Sequence, residues 1–183
     1  MIKDGHKNLK IVELDLTNID DINKVDSTFE VRSRIVPYMK EGGFGFTLEE
    51  VPAVYTKAYP NDEFDYTTYI GNPDKTARIA YINSEAVGQV VLSRWWNKLA
   101  LLEDIRVESK YRRTGIATKL MDAAINWARE AKKRGIMIET QDTNAPACFF
   151  YQQYGFTLGG VDRMQYRGTE NPSETALFWY FIF

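Results

Sequence analysis

The stretch from Lys98 to Phe156 constrains this chain most, and its centre is Tyr111-Arg112-Arg113-Thr114-Gly115-Ile116-Ala117-Thr118. Ahead of that centre, Leu99 to Val107 is a short apolar run with β-branched members, which predicts a strand. Behind it, Ile116, Leu120, Ala124, Ala128 and Ala131 recur at spacings of four and three, while Asp122, Arg129, Lys132 and Lys133 take other faces. That period predicts an amphipathic helix, stopped by Gly135. The order is therefore strand, basic loop with a glycine, helix N-terminus. The first turn of a helix has unpaired backbone N–H groups and the positive end of the macrodipole, and a glycine there lets a phosphate come close to the backbone. With Arg112 and Arg113 adding charge, a pyrophosphate is the natural guest.

A second motif follows at Asn144-Ala145-Pro146-Ala147-Cys148-Phe149-Phe150-Tyr151-Gln152-Gln153-Tyr154-Gly155-Phe156. Asn144 suits an N-cap, Pro146 the first turn and Gly155 the residue beyond the last turn, so a short helix should run to Tyr154. Together the two motifs resemble the GNAT acetyltransferase superfamily. Arg112, Gly115 and Ala117 match its coenzyme loop, Q/R-x-x-G-x-G/A. Asn144, Ala147, Tyr151, Gly155 and Phe156 match its N-x-x-A-x-x-x-Y-x-x-x-G-F pattern.

The resemblance implies acetyl-coenzyme A as co-substrate. In it the amides of Arg113, Thr114, Gly115, Ile116, Ala117 and Thr118 hold the pyrophosphate, with Arg112 beside them. The backbone of Ile105, Arg106 and Val107 pairs with the pantetheine arm like an added strand. Asn144, Ala147 and Tyr151 complete the cofactor side. The fold it implies is α/β (α+β), a mixed, mostly antiparallel sheet splayed between the strand at 98–107 and the one at 136–140, with helices on both sides.

At 183 residues, 44% hydrophobic and 14% aromatic, the chain suits one domain spanning 1–183. It has no apolar run of membrane-spanning length and its start lacks a signal-peptide core, so a soluble, cytoplasmic protein is expected. One cysteine, Cys148, cannot form an internal disulfide, and one histidine, His6, cannot build a metal cluster; no metal is expected. Residues 1–70 carry 13 acidic and 8 basic side chains, a net of −5, while 71–183 carry 12 and 15, a net of +3. That asymmetry fits a cationic substrate met by the first part and an anionic cofactor held by the second, or it is ordinary surface variation. No basic stripe with interleaved aromatics points to nucleic acid.

In chain order, Leu9–Leu14 predicts a strand, Ile19–Val25 a helical turn and Phe29–Val36 a strand. Glu41–Phe46 is glycine-rich without a following Gly-Lys-Ser/Thr, so it reads as a flexible connector or a lid, not a P-loop. Thr47–Tyr69 is rich in Tyr and acids, including Asp62, which suits a polyamine or a solvated surface. Ala77–Ile82 and Ala86–Trp95 predict a hairpin turning at Asn83-Ser84-Glu85, with Lys98–Val107 as its third partner. The last strand, Ala176–Phe183, is apolar on both faces. It must be buried in the sheet or at a subunit contact, which leaves a homodimer open.

Acetyl transfer to an amine needs a base, because an alkyl ammonium has a pKa of roughly 10.4. The candidates are Glu103, possible through a water, and Asp104. Alternation puts Glu103 on the face of Val107 and Asp104 on the other unless a bulge intervenes. Each could instead simply pair with Arg106 or Arg94. By the resemblance Tyr151 is the general acid at the coenzyme sulfur, with Tyr154 as fallback. Cys148 has no histidine beside it and reads as packing rather than as a nucleophile. The segment Leu102–Val107, the Tyr-rich stretch and the aromatic tail look most like streptothricin acetyltransferases, which acetylate the β-lysine amine of that antibiotic and so confer resistance. A small cationic amine is the expected partner, with Asp104, Tyr55, Tyr59 and Asp65 as its candidate contacts. The alternatives are another amine acceptor or a non-catalytic acyl-coenzyme A module.

Overall fold

The computed structural model describes residues 8–61 and 63–183. The expectations for the start of the chain, His6 among them, and for Asp62 lie outside the described residues. In chain order the strands are β1 (Leu9–Glu13), β2 (Phe29–Lys40), β3 (Gly43–Lys57), β4 (Lys75–Ile82), β5 (Glu85–Arg94), β6 (Ala100–Val107), β7 (Gly135–Gln141), β8 (Thr157–Asp162) and β9 (Ala176–Ile182). The helices are α1 (Ile116–Glu130) and α2 (Ala145–Tyr154), with 3-10 turns at Ile19–Asp21, Tyr66–Tyr69 and Ser109–Tyr111. This is the mixed, mostly antiparallel α/β architecture that the resemblance implies. No helix among the described residues is long and apolar enough to cross a membrane.

The chain divides into two compact units, one of the described residues up to Thr28 with Ala58–Ile136, the other of Phe29–Lys57 with Met137–Phe183. In the first, β1, β4, β5 and β6 form an antiparallel sheet in that order. Asn83 and Ser84, with φ of 49° and 69°, make the two-residue turn between β4 and β5, a conformation that suits the twist of a tight hairpin. Strand period two then separates two faces. One carries Gly88, where an added Cβ would lie 3.0 Å from Leu120 and 3.4 Å from Ile116, so the missing side chain is what lets α1 sit closely on the sheet. Ile116, Leu120, Met121, Ala124 and Ala128 are buried on that side of α1. The opposite face packs Ala77, Ile79 and Val91 under Tyr66 and Tyr69.

The sequence places the stop of α1 at Gly135; the structure moves it. Lys132 takes the left-handed conformation, φ 53°, and the amides of Lys132 and Lys133 bond the carbonyls of Arg129 and Ala128. That double closure ends the helix three residues early, with a lysine where glycine is commoner. Gly135 instead opens β7.

In the second unit β2 and β3 form a long antiparallel hairpin, and β9 lies between β7 and β8. The connector expected at Glu41–Phe46 is corrected here: only the residues before Gly43 turn, and Gly43–Phe46 already belongs to β3, with Met39 opposite Phe44 and Tyr38 opposite Gly45. Glycines alternating with phenylalanines have the period of a strand, which glycine content alone conceals. The apolar β9 is buried at Ala176, Leu177 and Trp179, as its composition requires, and emerges at Ile182 and Phe183.

Candidate functional site

At the start of α1, β6 ends at Val107, the 3-10 turn Ser109–Tyr111 reverses the chain, and Arg113 and Gly115 both adopt left-handed backbone, φ 61° and 91°. Gly115 is the N-cap, and no side chain caps the helix. The amide of Lys119 makes the first helical bond, to the Gly115 carbonyl at 3.1 Å, so the amides of Ile116, Ala117 and Thr118 precede the ladder. No atom beyond its chain neighbours lies within 4 Å of a Cβ built at Gly115. The residues therefore fit a pyrophosphate: amides at the positive end of a helix dipole, with open space beside the glycine. Arg112 has a further task. Its Nε donates to the Val107 carbonyl at 2.8 Å, bracing the end of β6 against the loop.

The carboxylates of β6 depart from simple alternation. Val91 pairs with Asp104 but Leu92 pairs with Leu102, which leaves Glu103 as the extra residue of a β-bulge. The expected alignment of Glu103 with Val107 is thereby overturned. Val107 pairs with Gly88 on the α1 face, whereas Glu103 and Asp104 both turn to the opposite face. There they meet Ser93 and Gln89, four residues apart on β5 and hence on one side of it. Ser93 Oγ donates to one oxygen of Glu103 at 2.6 Å and Tyr69 Oη to the other at 2.6 Å.

Asp104 is held differently. Arg106 Nε reaches its two oxygens at 3.0 and 2.9 Å, and Gln89 Nε2 donates at 2.6 Å. Burial pushes the Asp104 carboxyl up from the usual range, against the pull of Arg106 and Gln89. Arg106 also donates to Asn61 at 2.8 Å, and Gln89 exchanges bonds with Asn23. Arg94 pairs with Asp74. Pairing with a cation is thus the fate of Asp104, while among the described residues no ion pair engages Glu103.

In the second unit Asn144 caps α2 as its sequence predicts, accepting from the Ala147 amide at 3.2 Å, and Gly155 closes the helix with φ 113°. Tyr151 is buried at 5% exposure, its ring among Phe150, Phe156 and Trp179. Tyr154 packs at a tilt against Phe150 and Phe156 and edge-on against Phe181. Cys148 is fully buried, and burial pushes its thiol up to about 12, which agrees with packing rather than nucleophilic chemistry. Two buried carboxylates here are ion-paired, Glu174 with Lys57 at 2.6 Å, where it also accepts from Thr143 at 2.9 Å, and Asp142 with Arg34, whereas Glu139 accepts from the Tyr166 hydroxyl and burial pushes its carboxyl up.

The substrate candidates fall in both units. Tyr55 stands on β3 of the second unit, opposite Val31. Tyr59 and Asp65 belong to the first. Tyr59 exchanges backbone bonds with Ser27 Oγ, and Asp65 spends its carboxylate on the amide and hydroxyl of Thr67, capping the Tyr66–Tyr69 turn. Residues that single-strand reasoning passes over are Ser93, whose partner Glu103 is set by the bulge, and Gln89, Asn23 and Asn61, whose partners lie on other segments of the chain. Tyr66 and Tyr69 were visible only as members of a Tyr-rich run. Their i, i+3 spacing in a 3-10 turn, which puts both on one side, was the usable signal.

Comparison with known proteins bears on this arrangement. Residues 46–156 match the model of the acetyltransferase (GNAT) family. Streptothricin acetyltransferase A of Bacillus subtilis is 36% identical over 94% of this chain and 99% of its own length. A streptothricin acetyltransferase of Escherichia coli is 35% identical over 86% of this chain and 87% of its own. A crystal structure from Bacillus anthracis, described as a streptothricin acetyltransferase in complex with acetyl coenzyme A, superposes with a TM-score of 0.87 at 35% identity, covering 96% of this chain and 98% of that one. With the strand, glycine loop and uncapped helix already in place, the chain belongs to the GNAT family and is an acetyl-coenzyme A-dependent N-acetyltransferase.

Proposed function

We propose that this enzyme acetylates a primary amine of a small cationic molecule, and that the acceptor is the β-lysine amine of streptothricin, giving resistance to that antibiotic. The observation that carries the acceptor is the likeness to streptothricin acetyltransferases along nearly the whole chain, beyond the coenzyme motifs that all GNAT enzymes share. Glu103 supports it physically. A carboxylate held by neutral hydroxyls and not by a cation keeps its charge available to an ammonium group.

In this reading the loop from Arg113 to Thr118 seats the pyrophosphate, and the backbone of Ile105–Val107 lies along the pantetheine arm. Acetyl-coenzyme A supplies the acetyl thioester. Glu103, directly or through a water, takes the proton of the acceptor amine, whose nitrogen forms the new bond to the acetyl carbon. As the carbon–sulfur bond breaks, Tyr151 gives its hydroxyl proton to the sulfur, and the second proton that the nitrogen sheds on becoming an amide is returned through water to the tyrosinate. Asp104, locked to Arg106 and Gln89, shapes the face. A single thiol and this co-substrate suit the reducing cytoplasm.

The test follows thiol release from acetyl-coenzyme A at neutral pH with streptothricin, spermidine, an aminoglycoside and a lysine-bearing peptide as separate acceptors. Turnover confined to streptothricin is the expected result. Turnover on the others alone keeps the acetyltransferase and removes the acceptor assignment.

A further inference from the structure

We propose that Tyr69 and Ser93 are positioning residues that act through Glu103, each gripping one carboxylate oxygen so that the remaining lone pairs are presented to the acceptor amine or its water. This deepens the reading of Glu103 as the base and rests on it.

Three independent pieces of the first unit converge on this one side chain. The β6 bulge turns Glu103 toward the face that holds Ser93. Ser93 comes from β5, with its Oγ 2.6 Å from one oxygen. Tyr69 comes from the 3-10 turn, with its Oη 2.6 Å from the other. The tyrosine itself has little freedom. It is 3% exposed, its ring lies against Tyr66 and Phe64 at 5.4 and 6.1 Å, and Lys75 Nζ stands 4.8 Å over its face. Asp65 fixes the turn from which it projects.

A carboxylate has about four lone-pair sites, so two hydroxyl donors fix its plane and leave acceptor capacity. The choice of donors matters. A guanidinium in the same place would hold the carboxylate equally well but neutralise it, as Arg106 does one residue away at Asp104. Hydroxyls orient without cancelling the charge, which is what a group that must attract an ammonium and accept its proton requires.

The experiment compares Tyr69→Phe, Ser93→Ala, Glu103→Gln and the double variant Tyr69→Phe/Glu103→Gln. It reads kcat, KM for acetyl-coenzyme A and Tm, using whichever of the four acceptors above turns over fastest. Tyr69→Phe and Ser93→Ala should each lower kcat by about tenfold to a hundredfold, the range that loosening a catalytic group by a fraction of an ångström to an ångström produces, with KM for the coenzyme unchanged. In the Glu103→Gln background Tyr69→Phe should cost nothing further, since its effect passes through the missing carboxylate. Ser93→Thr, which keeps the hydroxyl on a strand residue, should recover most of the rate and serves as the check if Tyr69→Phe fails to fold. Impaired Glu103→Gln with losses that multiply in the double variant overturns the clamp and leaves the base. Unimpaired turnover by Glu103→Gln overturns the base and the clamp with it.

Discussion

The two helices of this enzyme begin in opposite ways. Both face the same problem, since the first turn of any helix has amides that its own ladder cannot use. At α2 the chain solves it internally: Asn144 accepts from the Ala147 amide, and Pro146 has no amide to satisfy. At α1 it does not. Gly115 has no side chain to offer, sits at φ 91°, and leaves open space where a Cβ would be. A helix start that supplies its own acceptor is finished; one that supplies none is built for an acceptor from outside. In the proposed mechanism this contrast goes with an anion bound at α1 and with α2 carrying the proposed proton donor, Tyr151.

The sharpest way to break this division is Tyr151→Phe. If α2 contributes a proton donor, kcat should fall by about a hundredfold to ten-thousandfold, the span typical of a general acid, while acetyl-coenzyme A still binds with unchanged affinity by calorimetry. A loss of coenzyme affinity with kcat preserved would reverse the roles of the helices. Next comes Gly115→Ala. A left-handed backbone costs an alanine about 1–2 kcal/mol, and the new methyl stands where a phosphate must approach. Coenzyme Kd should rise roughly tenfold or more, about 1.4 kcal/mol per decade, with kcat at saturation little changed. The matched change at the other helix, Asn144→Ala, should do the reverse. It removes a cap worth about 1 kcal/mol and should lower Tm by roughly 2–4 °C in a protein of this size, with coenzyme Kd changed far less than by Gly115→Ala. If Asn144→Ala weakens the coenzyme as much as Gly115→Ala does, the comparison fails.

How far this could be read from the sequence follows the same line between local and non-local causes. The start and stop of α2 were legible because Asn144, Pro146 and Gly155 each act within a few residues of themselves. The glycine loop was legible for the same reason. The faces of β6 were not. Period-two alternation set Glu103 beside Val107, but the register with β5 slips by one residue between Val91 and Leu92, and a bulge depends on a partner strand that no window of β6 contains. The pairing of Asp104 with Arg106, by contrast, needs only the alternation that puts residues two apart on one face. Asp65 illustrates a second limit. An aspartate two residues before a threonine can cap a turn or meet a ligand, and only the fold shows it bonded to Thr67. The end of α1 shows a third, since Lys132 takes a conformation that its residue type disfavours and that the closure of the helix imposes.

The smallest expected effect concerns Cys148, which lies in the first turn of α2 and so sharpens what a capped helix start means. Thiols at helix N-termini commonly have depressed pKa values, because the free amides and the dipole favour the thiolate. Here two things oppose that pull. Asn144 has already taken an amide of the turn, and the thiol is wholly buried, with the Asp142 carboxylate adding repulsion. Burial is the larger cause and holds the thiol up to about 12, so at pH 8 it stays protonated and out of reach. Iodoacetamide at that pH should leave turnover unchanged over hours and should label the single thiol only after denaturation. Rapid labelling of the native enzyme with loss of turnover would mean that this helix start is as electropositive and accessible as that of α1. It would then open a route in which the Cys148 sulfur takes the acetyl group and passes it to the amine, in place of direct attack by the amine.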